Sequence, residues 1–213
     1  MGVQMIRPWR RATALTVGVL ISMTACSLGS DETGKLEPRL QRMVPQDTPS
    51  VAVTARSGQP AETRQVTGKF FSMYVPATFQ ERSVQMANGE QMVAFDAPSS
   101  KSAIPVRVAV VPDPVAKKSV IESSYGVEVL KQSEGVTDLT RSTVKWPGAQ
   151  SAILLQWTSA PAGAGPSDEP LRTWQLVVQV NDHLTVSLVA VAPVGEFDSA
   201  GLAKIVETFR PHA

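Results

Sequence analysis

Eight segments between residues 69 and 192 carry the patterning of β-strands, and three of the links between them are two-residue turn pairs, Asn88-Gly89, Pro147-Gly148 and Asn181-Asp182. Strands joined by two residues pair antiparallel, so this feature restricts the fold more than any other in the chain. The segments are 69–75, ended by Pro76, then 80–87, 90–96, 104–111, 139–146, 149–159, 171–180 and 183–192. Asn-Gly suits a type I′ turn, which needs positive φ at both positions. With those two residues as the loop, Val84 opposes Val93, Met86 opposes Gln91 and Arg82 opposes Phe95. That register places Val84, Met86, Val93 and Phe95 on the core face. Residues 104–111 are almost continuously apolar, the pattern of a strand buried on both sides.

Two helices interrupt the strands. Asp113-Pro114 reads as an N-cap followed by a first helical residue that needs no donor, so a helix is expected from there towards Ser124 or Gln132. Leu202, Ile205, Val206 and Phe209 recur at i, i+3, i+4 and i+7 and predict a C-terminal helix. Asp198 is expected to cap it, Phe197 to pack on Leu202 as a hydrophobic staple, and Pro211 to stop it. The fold class is therefore α+β, mostly antiparallel sheet with helices packed on its faces.

Length and composition exclude several classes. A chain of 213 residues suits one domain with appendages. Its 20 Lys+Arg against 19 Asp+Glu leave no electrostatic footprint for nucleic acid. With 43% hydrophobic and 18% charged residues the chain is not disordered throughout. Its one cysteine rules out an intramolecular disulfide and a cysteine-rich zinc site.

That cysteine stands at a telling place. Arg7, Arg10 and Arg11 precede an uncharged apolar run over residues 12–23. The run is shorter than the roughly 20 residues of a membrane span and has the plan of a secretory signal. It ends Met23-Thr24-Ala25-Cys26, which resembles the lipobox of bacterial lipoproteins, with Met23 in place of the commoner leucine. The resemblance implies a signal peptide over 1–25, cut after Ala25, and a diacylglyceryl group on the Cys26 sulfur. One acyl chain anchors marginally and two hold stably, so the lipid keeps the protein on the outer leaflet of the cell membrane without a spanning helix. Losing three arginines leaves 17 basic against 19 acidic residues, so an anionic leaflet adds no attraction.

Residues 27–67, following Cys26, read as a tether. Pro38, Pro45, Pro49 and Pro60 punctuate them, small polar residues dominate and the charges balance. A coil of that length spans roughly 35 Å. Leu36, Leu40, Met43 and Val44 share one helical face, and Val51, Val53 and Ala55 alternate as an edge strand would. The globular domain is taken as 68–213.

Catalytic chemistry finds little purchase. His183 falls in a turn and His212 is the second-last residue, too few for a zinc enzyme. No serine stands in a G-x-S-x-G or S-x-x-K pattern. The glycines of Ala162-Gly163-Ala164-Gly165 are followed by Pro166 and Pro170 and then a strand, whereas a phosphate-binding loop opens into a helix. The carboxylate pairs Asp31-Glu32 and Asp168-Glu169 read as solvated tether and loop. Trp146, Trp157 and Trp174 fall on three predicted strands, where they pack the sheet or anchor a partner.

The opening Phe71-Ser72-Met73-Tyr74-Val75-Pro76 with Phe79, and the closing Thr208-Phe209-Arg210, resemble the Mog1/PsbP-like domains, which include the LpqN-type lipoproteins of actinobacteria. The resemblance covers about two-thirds of the chain. It implies an antiparallel sheet with helices packed on its faces, a binding or assembly role rather than an enzymatic one, and no catalytic, cofactor or metal residues. The expected function is a membrane-tethered, non-enzymatic module for an envelope protein, lipid or glycan. A small-molecule or lipid carrier with an apolar cavity between sheet and helix is the alternative.

Overall fold

A computed structural model describes residues 53–86, 89–98, 106–113, 135–160 and 169–213. The signal peptide, Cys26, the tether to residue 52, the helix expected after Asp113 and the glycine loop at 162–165 lie outside the described residues.

Among the described residues ten strands and two short helices make an α+β fold dominated by antiparallel sheet. In chain order they are β1 Thr63–Thr67, β2 Phe71–Pro76, β3 Gln80–Gln85, β4 Gln91–Asp96, β5 Arg107–Asp113, β6 Val136–Val144, β7 Ser151–Ser159, β8 Leu171–Asn181, β9 Leu184–Pro193, α1 Val194–Phe197, α2 Leu202–Thr208 and β10 Arg210–Pro211. Seven strands form one sheet in the order β3-β4-β5-β9-β8-β7-β6, and β1-β2-β10 form a second. The expected hairpins β6–β7 and β8–β9 are present and antiparallel. The antiparallel run β6-β7-β8-β9 brings β9 back against β5, with Val108 opposite Ala190 and Val110 opposite Leu188.

The core lies between the seven-stranded sheet on one side and β2 with α2 on the other. Alternate residues of the long strands feed it: Leu154 from β7, Leu176 and Val178 from β8, and Val186, Leu188 and Ala190 from β9. The predicted face of the C-terminal helix meets them, with Leu202, Ile205, Val206 and Phe209 all buried. A smaller cluster of Ile153, Leu155, Trp157 and Val177 sits on the opposite face of the sheet. Val108, Ala109 and Val110 are buried in succession, as expected of a strand covered on both faces.

Four local expectations are corrected. The first is the β3–β4 register. The closing pair is Met86 with Glu90, and the Gly89 N–H donates to the Met86 carbonyl at 3.1 Å, so the loop holds three residues rather than two. Gly89 takes φ 85° at its last position, as three-residue hairpin loops require. Val84 therefore opposes Met92, and Ser83 opposes Val93. A shift of one residue turns a strand over: Phe95 and Val93 keep the core, while Val84 lies on the other face.

The second is the domain's beginning. β1 falls inside the expected tether yet pairs with β2 along its length, Val66 opposite Met73. Val53 is buried and Ala55 packs on the core, keeping the predicted alternation without forming a strand. The third is the helix cap. Asp198 ends α1 instead of opening α2, whose N-cap is Gly201 with no side-chain bond. Phe197 is thus the last residue of α1, buried in the same core as Leu202. The fourth is β6, which begins at Val136 because Asp138, at φ 55°, forms a bulge between Thr137 and Thr140.

The Pro147-Gly148 turn does more than link β6 to β7. Gly148 has φ 79°, and a Cβ there would lie 2.7 Å from the Pro211 carbonyl oxygen. Both the turn and the closeness of β10 require glycine. Gly148→Ala is expected to cost roughly 1–3 kcal/mol, the usual range for a side chain forced into this backbone region, read as a lowered urea midpoint; an unchanged midpoint would contradict the close approach.

Candidate functional site

The C-terminal residues bring the site together. α2 ends at Thr208, and Phe209 turns extended at φ −62° and ψ 133°. Arg210 precedes a proline, which disfavours helix and favours extension, and it pairs with Ser72 while Pro211 pairs with Phe71. Continued backwards, that register puts Thr208 opposite Tyr74, and its side chain takes over where the two-residue strand ends. The Thr208 Oγ1 accepts from the Tyr74 N–H at 3.0 Å and donates to the Ile205 carbonyl at 2.7 Å. Trp146 sits just past β6 and donates its Nε1–H to the Phe209 carbonyl at 2.9 Å.

A cavity of about 270 Å³ opens beside this junction. Arg56 lines it from the segment before β1, Gln65 from β1, Ser72 and Tyr74 from β2, and Thr208 and Arg210 from the end of α2. The Arg56 Nε lies 3.1 Å from the Glu207 Oε2, and the Arg56 N–H donates to the Glu207 carbonyl at 2.9 Å. The Arg210 Nη1 donates to the carbonyls of Glu207 at 3.0 Å and Phe209 at 2.7 Å, and its Nη2 to the carbonyl of Arg56. The lining is mixed, with Met73 among the polar residues, and two guanidinium groups stand at its edge, one of them paired with the Glu207 carboxylate. The two guanidinium groups are the feature of this lining that suits a small anionic group.

The residues singled out in the sequence lie elsewhere. His183 is exposed in the β8–β9 turn, its backbone N–H bonded to the Asn181 Oδ1 at 2.8 Å. His212 follows β10, and its N–H donates to the Phe70 carbonyl at 2.9 Å. Among the described residues no group of three or more His, Cys, Asp or Glu could hold a metal ion. The three tryptophans pack. Trp146 belongs to the main core, Trp157 to the cluster on the other face, and Trp174 tilts against Phe197 with ring centroids 5.3 Å apart. Glu169 is exposed, as expected, and its Oε1 accepts from the Gly195 N–H at 2.6 Å at the start of α1.

Sequence reasoning passed over Arg56, Thr208 and Arg210 as site residues. Arg56 stands in the expected spacer, and 154 positions separate it from Arg210. The one available signal was Arg210-Pro211, an extended dipeptide directly after a helix.

Compared with known proteins, the chain matches no family model and no curated protein. Among solved structures it is similar to LpqN, involved in cell envelope biogenesis of Mycobacterium tuberculosis, at 13% identity and a TM-score of 0.47, over 71% of this chain and 91% of that one.

Thr208→Val keeps the shape of the side chain and removes the acceptor for the Tyr74 N–H. The expected loss is about 1 kcal/mol, that of a part-buried donor left without its partner, measured by urea denaturation; an unaltered midpoint would show that the junction does not depend on this bond.

Proposed function

We propose that this protein is a lipid-anchored, extracytoplasmic binding module without enzymatic activity, acting on a component of the cell envelope. The observation that carries the reading is the cavity edged by Arg56 and Arg210 at the place where the N-terminal segment enters the fold. Arg56, on its rim, is thirty residues from Cys26. A diacylglyceryl group on Cys26 would hold the module on the outer leaflet, and a coil of that length spans roughly 30 Å. The cavity would then work within reach of headgroups and of proteins beside them. The layering of the two sheets and α2 reads as Mog1/PsbP-like, in line with the Phe71–Pro76 and Thr208-Phe209-Arg210 motifs. Among the described residues no helix is long and apolar enough to cross a membrane.

The carrier alternative draws no support from the core. Phe197, Phe209, Leu202, Leu176 and Leu188 fill the space between the large sheet and α2, each almost wholly buried. The cavity's volume is also below the 300–1,000 Å³ usual for drug-sized ligands.

Cys26→Ser tests the anchor. Palmitate labelling is expected to disappear and the protein to move from the membrane to the soluble fraction. Palmitate labelling that persists in the variant, or that the unsubstituted protein lacks, would overturn the lipoprotein reading.

A further inference from the structure

We propose that the cavity beside Arg210 is an oxyanion site that takes a phosphate group, with Arg210 as its main ligand and Arg56 as the second. The inference deepens the reading of this cavity as a binding site.

Charge is the first argument. Arg82 and Arg107 meet Asp96, and Arg172 meets Asp198. Arg210 meets three backbone carbonyls and, among the described residues, no carboxylate. Glu207, the acidic residue beside it, is engaged by Arg56. Two guanidinium groups against one carboxylate leave a net charge of +1 at the cavity. Arg210 is half-buried, and a charge withdrawn from water is stabilised by a counter-charge that carbonyl dipoles supply only in part.

Geometry is the second. One hydrogen per bond accounts for both Nη1 hydrogens of Arg210 and one on Nη2. The Nε–H and one Nη2 hydrogen remain, and Nε and Nη2 together form one edge of the guanidinium. That edge makes bidentate contacts with oxyanions. Arg107 uses it on Asp96 in this same protein, Nε to Oδ1 at 2.6 Å and Nη2 to Oδ2 at 3.0 Å. The three carbonyl bonds already hold the Arg210 fork in place, so binding loses little further side-chain freedom.

Shape and chemistry complete the case. A cavity of about 270 Å³ lined by Gln65, Ser72 and Tyr74 offers neutral donors to a compact, oxygen-rich group. A phosphate here has two sources, the headgroup of a lipid in the anchoring leaflet or a soluble phosphate.

The test uses the full chain carrying Cys26→Ser, so that no acyl anchor contributes. Inorganic phosphate is titrated by calorimetry at constant ionic strength, and flotation is measured with phosphatidylcholine vesicles with and without phosphatidic acid. Saturable phosphate binding is expected, weakened at least tenfold by Arg210→Gln and not restored by Arg210→Lys, which lacks the planar fork. Arg56→Gln is expected to weaken it too. That side chain is 64% exposed, so the variant decides the matter should Arg210→Gln fail to fold. Vesicle binding that requires phosphatidic acid and Arg210 identifies the headgroup as the source; phosphate binding without vesicle binding identifies the soluble one. Absence of saturable binding to either probe, or binding indifferent to both arginines, overturns the proposal. Because the tested chain is unlipidated, this result is independent of whether Cys26 carries lipid.

Discussion

The carbonyl of Phe209 is the point on which the two sheets are joined. It is buried with its side chain in the core, accepts the Trp146 indole N–H at 2.9 Å and also accepts from the Arg210 Nη1 at 2.7 Å. A buried carbonyl and a buried indole N–H each need a partner, and each here answers the other. Trp146 follows a strand of the large sheet, while the residues after Phe209 form the edge strand of the small one. One hydrogen bond thus ties β6 to β10. Gly148 lets the same turn approach Pro211 more closely than any other residue would.

The candidate site follows from that attachment. Because Phe209 is held, the chain leaves α2 abruptly and runs antiparallel to β2. The exit leaves the carbonyl of Glu207 outside the helical pattern, where Arg210 binds it, and turns Thr208 towards Tyr74. Arg210 then reaches the carbonyl of Arg56, fastening the segment that leads in from the N-terminus. The arginine-edged cavity is what remains between these three pieces of chain. Its cations are far apart in sequence and neighbours only because the C-terminus returns to the start of the fold.

Much of this architecture was legible. Long apolar alternation over β7, β8 and β9 identifies strands whatever surrounds them, and the i, i+3, i+4, i+7 spacing of α2 is stronger still. What escaped was set by single residues or by distant pairing. β1 reads Thr-Arg-Gln-Val-Thr, and only Val66 of it is buried, so its strand character comes from pairing with β2 rather than from its own pattern. The β3–β4 hairpin has the expected turn residues, but Gly89 serves a three-residue loop, and composition alone does not separate the two lengths. Asp198 looks like an N-cap because it precedes an apolar periodicity; it ends α1 instead and pairs with Arg172. The site escaped for a plainer reason: no local spacing links Arg56 to Arg210.

An attachment through Phe209 makes the C-terminal strap part of the cooperative core. Chain ends ordinarily fray, and amides in frayed segments exchange at almost no free-energy cost. Native-state hydrogen exchange should instead show the Tyr74 and His212 amides, bonded to Thr208 and Phe70, opening at the same free energy as Leu176 in the middle of the large sheet. Exchange of those two amides at a much lower free energy while Leu176 stays protected would contradict the strap, and with it the origin of the site.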